Sequence, residues 1–140
     1  MEVLIGSEFD DTINTGGDIT TIFAGGGNDQ INFPFGGLGF GPALAISGGT
    51  GDDSMAGGFS TNDRFIFETG DGNDQVNGFQ GGAGAGDVLD FSNDASITGL
   101  GDLTVGDDGS GNALIEYGAG DSITLLGVDF NNLDGDDFQF

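Results

Sequence analysis

The 140-residue chain has no cysteine, no histidine and no tryptophan, two prolines, and a single basic residue, Arg64, against 24 acidic ones, for a formal charge of −23. Each shortage removes a class of function. Without cysteine there is no disulfide staple and no thiol chemistry. Without histidine the commonest general base and the commonest transition-metal ligand are both missing, and zinc has neither of its preferred donors. One arginine cannot make the basic surface that a polyphosphate needs, so nucleic acid is not expected as a partner. An anionic membrane would repel the chain. No stretch of 18 apolar residues occurs, so no membrane insertion by a helix is expected. The opening MEVLIGSEFDD has neither a basic n-region nor an apolar h-region, so a cleaved N-terminal signal peptide is not expected either. Paired carboxylates occur at Asp10-Asp11, Asp52-Asp53, Asp107-Asp108 and Asp136-Asp137. They fall in turn-like sequence with no nucleophile and base beside them, and the chain is not expected to be an enzyme.

What is abundant is glycine, 31 residues, and phenylalanine, 13 residues. A net charge of this size opposes compaction, and acidic composition on its own reads as disorder. Regularly spaced Phe, Ile, Leu and Val read the other way. Together they describe a chain that folds when cations neutralise it.

The spacing is nine. GSEFDDTIN (6–14), AGGGNDQIN (24–32), GGTGDDSMA (48–56) and TGDGNDQVN (69–77) share small residues at the start, an Asp at the sixth place and an apolar residue at the eighth. The sixth-place residues are Asp11, Asp29, Asp53 and Asp74; the eighth-place residues are Ile13, Ile31, Met55 and Val76. Looser copies lie between: TGGDITTIF with Thr20 in the Asp place, a copy that puts Asp63 before Phe65, and GAGAGDVLD with Asp87 before Leu89. These units resemble the RTX repeat, the haemolysin-type calcium-binding nonapeptide. By repeat the resemblance spans about residues 5–91, and the tail GDSITLLGVDFNNLDGDDFQF is similar to the C-terminal segment of such proteins.

A turn of six Gly, Asn and Asp residues followed by a three-residue strand makes nine, and two such units make one 18-residue coil. No coil buries enough to stand alone, so coils must stack. The expected fold is all-β, a right-handed parallel β-roll or β-helix solenoid over residues 1–91, with a small antiparallel C-terminal cap and secretion signal over 92–140. Asp11 to Asp29 is one coil; the steps to Asp53 and Asp74 are longer by a few residues, absorbed by the loop from Phe33 to Ala43 and by insertions around 57–68. The four best turns should therefore share one edge, with Asp63 and Asp87 on the other. Strands are expected within SITGLGDLTV, NALIEYG and SITLLGV, with a turn or short helix over 131–137.

Calcium wants about 6–8 oxygen ligands. A glycine-rich turn exposes carbonyls and its Asp adds a carboxylate, so two stacked turns complete a shell. The resemblance places each ion between successive same-edge turns, which implies sites between Asp11 and Asp29, Asp29 and Asp53, and Asp53 and Asp74, and another between Asp63 and Asp87. Third- and fifth-place carbonyls would contribute: Glu8, Asp10, Gly26, Asn28, Thr50, Asp52, Asp71 and Asn73. The resemblance further implies several Ca²⁺ ions, folding outside the cell, export through a type I secretion apparatus read from about 125–140, and an extracellular or cell-surface location. Two roles stay open: the secretion and folding module of a larger protein, or a self-assembling structural protein such as a surface layer or filament. The Phe-rich loop 33–40 is a candidate contact for self-assembly or for a passenger domain.

Overall fold

The structure is a computed structural model. It describes residues 2–16, 18–33, 43–58, 62–84 and 86–140. The Phe-rich loop therefore lies outside the described residues, apart from Phe33, which is half-buried against the core.

Among the described residues thirteen short strands form two sheets and no α-helix occurs. The first sheet takes β1 (Glu2–Ile5), β3 (Ile19–Gly26), β5 (Ala45–Thr50), β7 (Arg64–Ile66), β9 (Val88–Asp90) and β13 (Phe138–Gln139), in that order. Every pairing in it is parallel. The second takes β2 (Thr12–Asn14), β4 (Gln30–Asn32), β6 (Ser54–Ala56) and β8 (Asn73–Asn77), also parallel, and continues through β12 (Asp121–Leu126), β11 (Ala113–Tyr117) and β10 (Thr104–Asp107). From β1 to β9 successive strands alternate between the sheets, so each pair of nonapeptides closes one coil, as the repeat arithmetic requires.

The register follows the nine-residue frame. Ile13 pairs with Ile31, Ile31 with Met55 and Met55 with Val76. Facing them across the core, Ile22 pairs with Ile46, Ile46 with Phe65 and Phe65 with Leu89. All eight are buried. In the three-residue strands β2, β4 and β6 only the middle residue is buried, as the alternation of a strand requires, while on the side of the first sheet Ala24, Leu44 and Phe67 are also buried. The one ion pair among the described residues joins Arg64 Nε to buried Asp90 at 3.2 Å.

At the C-terminal end Phe67, Phe91 and Tyr117 cluster, with ring centroids 5.1 to 6.2 Å apart, and Phe140 stacks on Phe91. Truncating a fully buried Phe in such a cluster leaves a large cavity, and Phe91→Ala is expected to cost about 3–5 kcal/mol. Thermal denaturation at saturating calcium checks it.

The cap differs from expectation in two respects. Ser96–Leu100 does not form a strand. Asp94 accepts from Ser96 N at 2.8 Å and Asp102 from Thr98 N at 2.8 Å, so carboxylates take the donors that a ladder would need, while Ile97 is buried as a plug. Nor do the sheets stop at residue 91. The hairpin β10–β11–β12 is antiparallel, but β12 runs parallel to β8, with Leu125 opposite Val76, and β13 adds in parallel to β9. Short 3₁₀ turns at Phe130–Asn132 and Gly135–Asp137 lead into β13.

Candidate metal centre along the first edge

The turns running from the first sheet to the second carry Asp11, Asp29, Asp53 and Asp74, and the parallel register puts these four in one column. Three hydrogen bonds link them along the column. Asp11 N donates to Asp29 Oδ1 at 2.8 Å, Asp29 N to Asp53 Oδ1 at 2.7 Å and Asp53 N to Asp74 Oδ1 at 2.9 Å. A second column runs beside it in the opposite sense. Asn28 N donates to Asp10 Oδ1 at 2.8 Å, Asp52 N to Asn28 Oδ1 at 3.0 Å and Asn73 N to Asp52 Oδ1 at 2.9 Å. The repeat frame enlists the fifth place only through its carbonyl; its side chains also stitch coil to coil. The signal was present, because all four fifth-place residues are Asp or Asn, the residues whose short side chains reach nearby backbone.

One oxygen per interior turn has no such partner. Asp29 and Asp53 are each 2% exposed, and the Oδ2 atoms of both are buried without a hydrogen bond. A bare carboxylate oxygen away from water is costly unless it meets a cation. Burial, reinforced by neighbouring carboxylates, raises the pKa of Asp29, and it pushes Asp53 and Asp71 up to about 6 and Asp74 to about 8. The column holds carboxyl groups in a place that disfavours charge.

The same turns carry backbone oxygens. Thr50 O accepts from Gly27 N at 2.9 Å and Asp71 O from Gly51 N at 2.7 Å, and a carbonyl has a second lone pair to offer. The coils sit so closely that a Cβ on Gly49 would run into the Gly25 carbonyl, and one on Gly51 into that of Gly27; both glycines have φ in the left-handed half of the map, +91° and +137°. Gly49→Ala is expected to destabilise by at least about 2 kcal/mol. Gly101→Ala, whose Cβ meets open space, is the matched control in the same thermal melt. Among the described residues no three acidic side chains converge as a metal cluster. A cation here would take most of its shell from main-chain carbonyls and a carboxylate oxygen or two from the column. That all-oxygen donor set suits a hard ion with many ligands, calcium rather than zinc.

The second edge is built differently. Asp63 Oδ1 accepts from Leu44 N and Oδ2 from Gly58 N; Asp87 Oδ1 accepts from Asp63 N and Oδ2 from Gln80 N, all at 2.7 to 2.8 Å. Burial still pushes Asp87 up to about 6, but its two oxygens each hold a backbone donor. Thr20 and Leu44 occupy the matching places in the earlier coils. Two carboxylates that the repeat frame did not single out close the edges at the cap: Asp121 accepts from Gly70 N and Gly72 N, and Asp137 from Gly82 N and Asp134 N.

No protein-family model matches the sequence, and no curated protein matches it. Solved structures do. Extracellular lipase LipA from Serratia marcescens superposes over 99% of this chain with a TM-score of 0.72 and 26% identity. The fold is a β-roll. The AlgE6R2 subunit of the Azotobacter vinelandii mannuronan C5-epimerase superposes over 99% of the chain, with a TM-score of 0.67 and 24% identity. The chain spans 20% of the lipase and 92% of the epimerase subunit. The β-roll is thus the whole of what this chain shares with the lipase, which has four-fifths of its length elsewhere.

Proposed function

We propose that this chain is a calcium-binding β-roll of a secreted protein, whose first edge takes up calcium outside the cell and so drives the roll to fold. The observation that carries this is the pair of buried, unpartnered oxygens, Asp29 Oδ2 and Asp53 Oδ2, in successive turns of one column. Neighbouring carboxylates and the charge of −23 with one arginine favour a divalent ion there. Asp11, Asp29, Asp53 and Asp74 supply carboxylates, and the turns 6–11, 24–29, 48–53 and 69–74 supply carbonyls, including those of Glu8, Asp10, Gly26, Asn28, Thr50, Asp52, Asp71 and Asn73. Asp63 and Asp87 are assigned to turn capping, because backbone donors already reach both oxygens of each. The bound ion would neutralise the column and bridge one coil to the next.

Extracellular sites bind calcium with Kd of about 10⁻⁴–10⁻³ M, far above cytosolic levels, so the chain would leave the cell unfolded and fold once outside. The resemblance of the repeats and tail to RTX proteins supports export by a type I route, and the extracellular lipase supports the location. Within a larger protein the roll would then serve as the export and folding module. Equilibrium dialysis against buffered calcium tests the binding: the native chain should retain two or more ions at millimolar calcium, and Asp29→Asn/Asp53→Asn should retain fewer. Equal retention by both would sink the assignment.

A further inference from the structure

Glycine stands at the second and fourth places of the interior first-edge turns for a directional reason. A Cβ on Gly25 would meet the Ser7 carbonyl, one on Gly49 the Gly25 carbonyl, one on Gly51 the Gly27 carbonyl and one on Gly72 the Gly51 carbonyl; one on Gly27 would meet the backbone of Phe9 and Asp10. In each case the obstacle belongs to the preceding coil. At these five glycines the Cβ direction is toward the N-terminal end of the stack, and the preceding coil lies so close because there is no side chain. Gly70 alone escapes, with open space at its Cβ.

The first turn breaks the pattern at both places. Ser7 and Phe9 stand where the later turns have glycine, and both are exposed, Phe9 at 78%. The same turn also satisfies its own carboxylate. Ser7 N and Ser7 Oγ donate to Asp11 Oδ2 at 2.7 and 2.8 Å, filling the oxygen that stays bare in Asp29 and Asp53. From these two features we infer that the Gly6–Asp11 turn is a built stop: the N-terminal face of the roll accepts no further repeat coil, neither from polypeptide joined ahead of it nor from a second copy. Growth of the first-edge turn stack is closed by the side chains of Ser7 and Phe9, and calcium does not bridge copies across this face. The block is steric and holds whether or not calcium is the cation.

The test grafts a copy of residues 15–32, followed by a second copy of 15–18, directly ahead of Glu2, in the native chain and in Ser7→Gly/Phe9→Gly. Amide hydrogen exchange reads whether the graft docks. In the native background the graft should exchange as an unfolded segment; in the double-glycine background its strands should slow by about 100-fold or more. Equal protection in the two backgrounds, present or absent, overturns the inference. Ser7→Gly/Phe9→Gly without the graft, checked by circular dichroism, must fold like the native chain, as it should with the residue that later turns already use. Calcium retained by the ungrafted chain is counted separately, so a failure of the calcium reading is distinguishable from a failure of the stop.

Discussion

Asp53→Asn is expected to make the metal-free chain more stable and the calcium-loaded chain less stable. The substitution keeps the Oδ1 acceptor that Asp29 N reaches at 2.7 Å, so the column of hydrogen bonds survives. It removes the charge on a buried group whose pKa is pushed up to about 6 from an ordinary 3.8, burial being the leading cause. One pKa unit is about 1.4 kcal/mol, so neutralising this site should return on the order of 2–3 kcal/mol to the metal-free fold at neutral pH. With calcium the sign reverses, because a carboxylate ligand has become an amide oxygen. A weakening of about 10- to 100-fold in the calcium midpoint is expected, roughly 1.4–2.8 kcal/mol. Parallel urea denaturations in chelator and in millimolar calcium read both signs. A residue that merely capped its turn would lose stability under both conditions. Asp63→Asn is the comparison, and it should respond little to calcium.

Acid should substitute for calcium. Asp53, Asp71 and Asp87 are raised to about 6 and Asp74 to about 8, in each case first by burial. A carboxylic acid raised in the fold holds its proton where the unfolded chain has released it. Stability from these groups is complete below the unfolded value near 3.8 and is lost as pH rises through their folded values. The metal-free roll should therefore gain β structure as pH falls from about 8 to about 4.5, by more than Asp53 alone contributes. Asp94, Asp102 and Asp108 are lowered by hydrogen bonds from Ser96, Thr98 and Asn112 in turn, so they act oppositely and withdraw stability below the ordinary carboxylate range. An optimum near pH 4–5 results. Dilute samples followed by far-UV circular dichroism in chelator give the profile; a profile that rises from pH 5 to pH 8 would contradict it. Saturating calcium should flatten the curve above pH 6.

The frame of nine made most of this architecture legible. Each nonapeptide places one inward residue, so the pairing of Ile13, Ile31, Met55 and Val76, and the shared edge of Asp11, Asp29, Asp53 and Asp74, follow from counting. Four things did not follow. The stitching by Asp10, Asn28 and Asp52 depends on which backbone donor each short side chain reaches, and spacing alone does not say. The difference between Asp53, with a bare oxygen, and Asp63, with both oxygens held, arises because Gly58 N turns toward its carboxylate while no donor reaches Asp53 Oδ2. Ser96–Leu100 looked like strand by its Ile and Thr, but Asp94 and Asp102 take its amides first. Long-range closure by Asp121 and Asp137, across 51 and 55 residues from the turns they cap, is invisible to any local pattern.

Titration of CaCl₂ into chelator-treated protein at pH 7.5, followed by far-UV circular dichroism with MgCl₂ in parallel, reaches the central claim most directly. An ion that binds only the folded roll must raise its population as concentration passes Kd. A cooperative gain of β signal at about 0.1–1 mM calcium, weak or absent with magnesium, is the expected result. A full β signal in chelator, unchanged by calcium, would contradict it and leave the first-edge aspartates as turn residues alone.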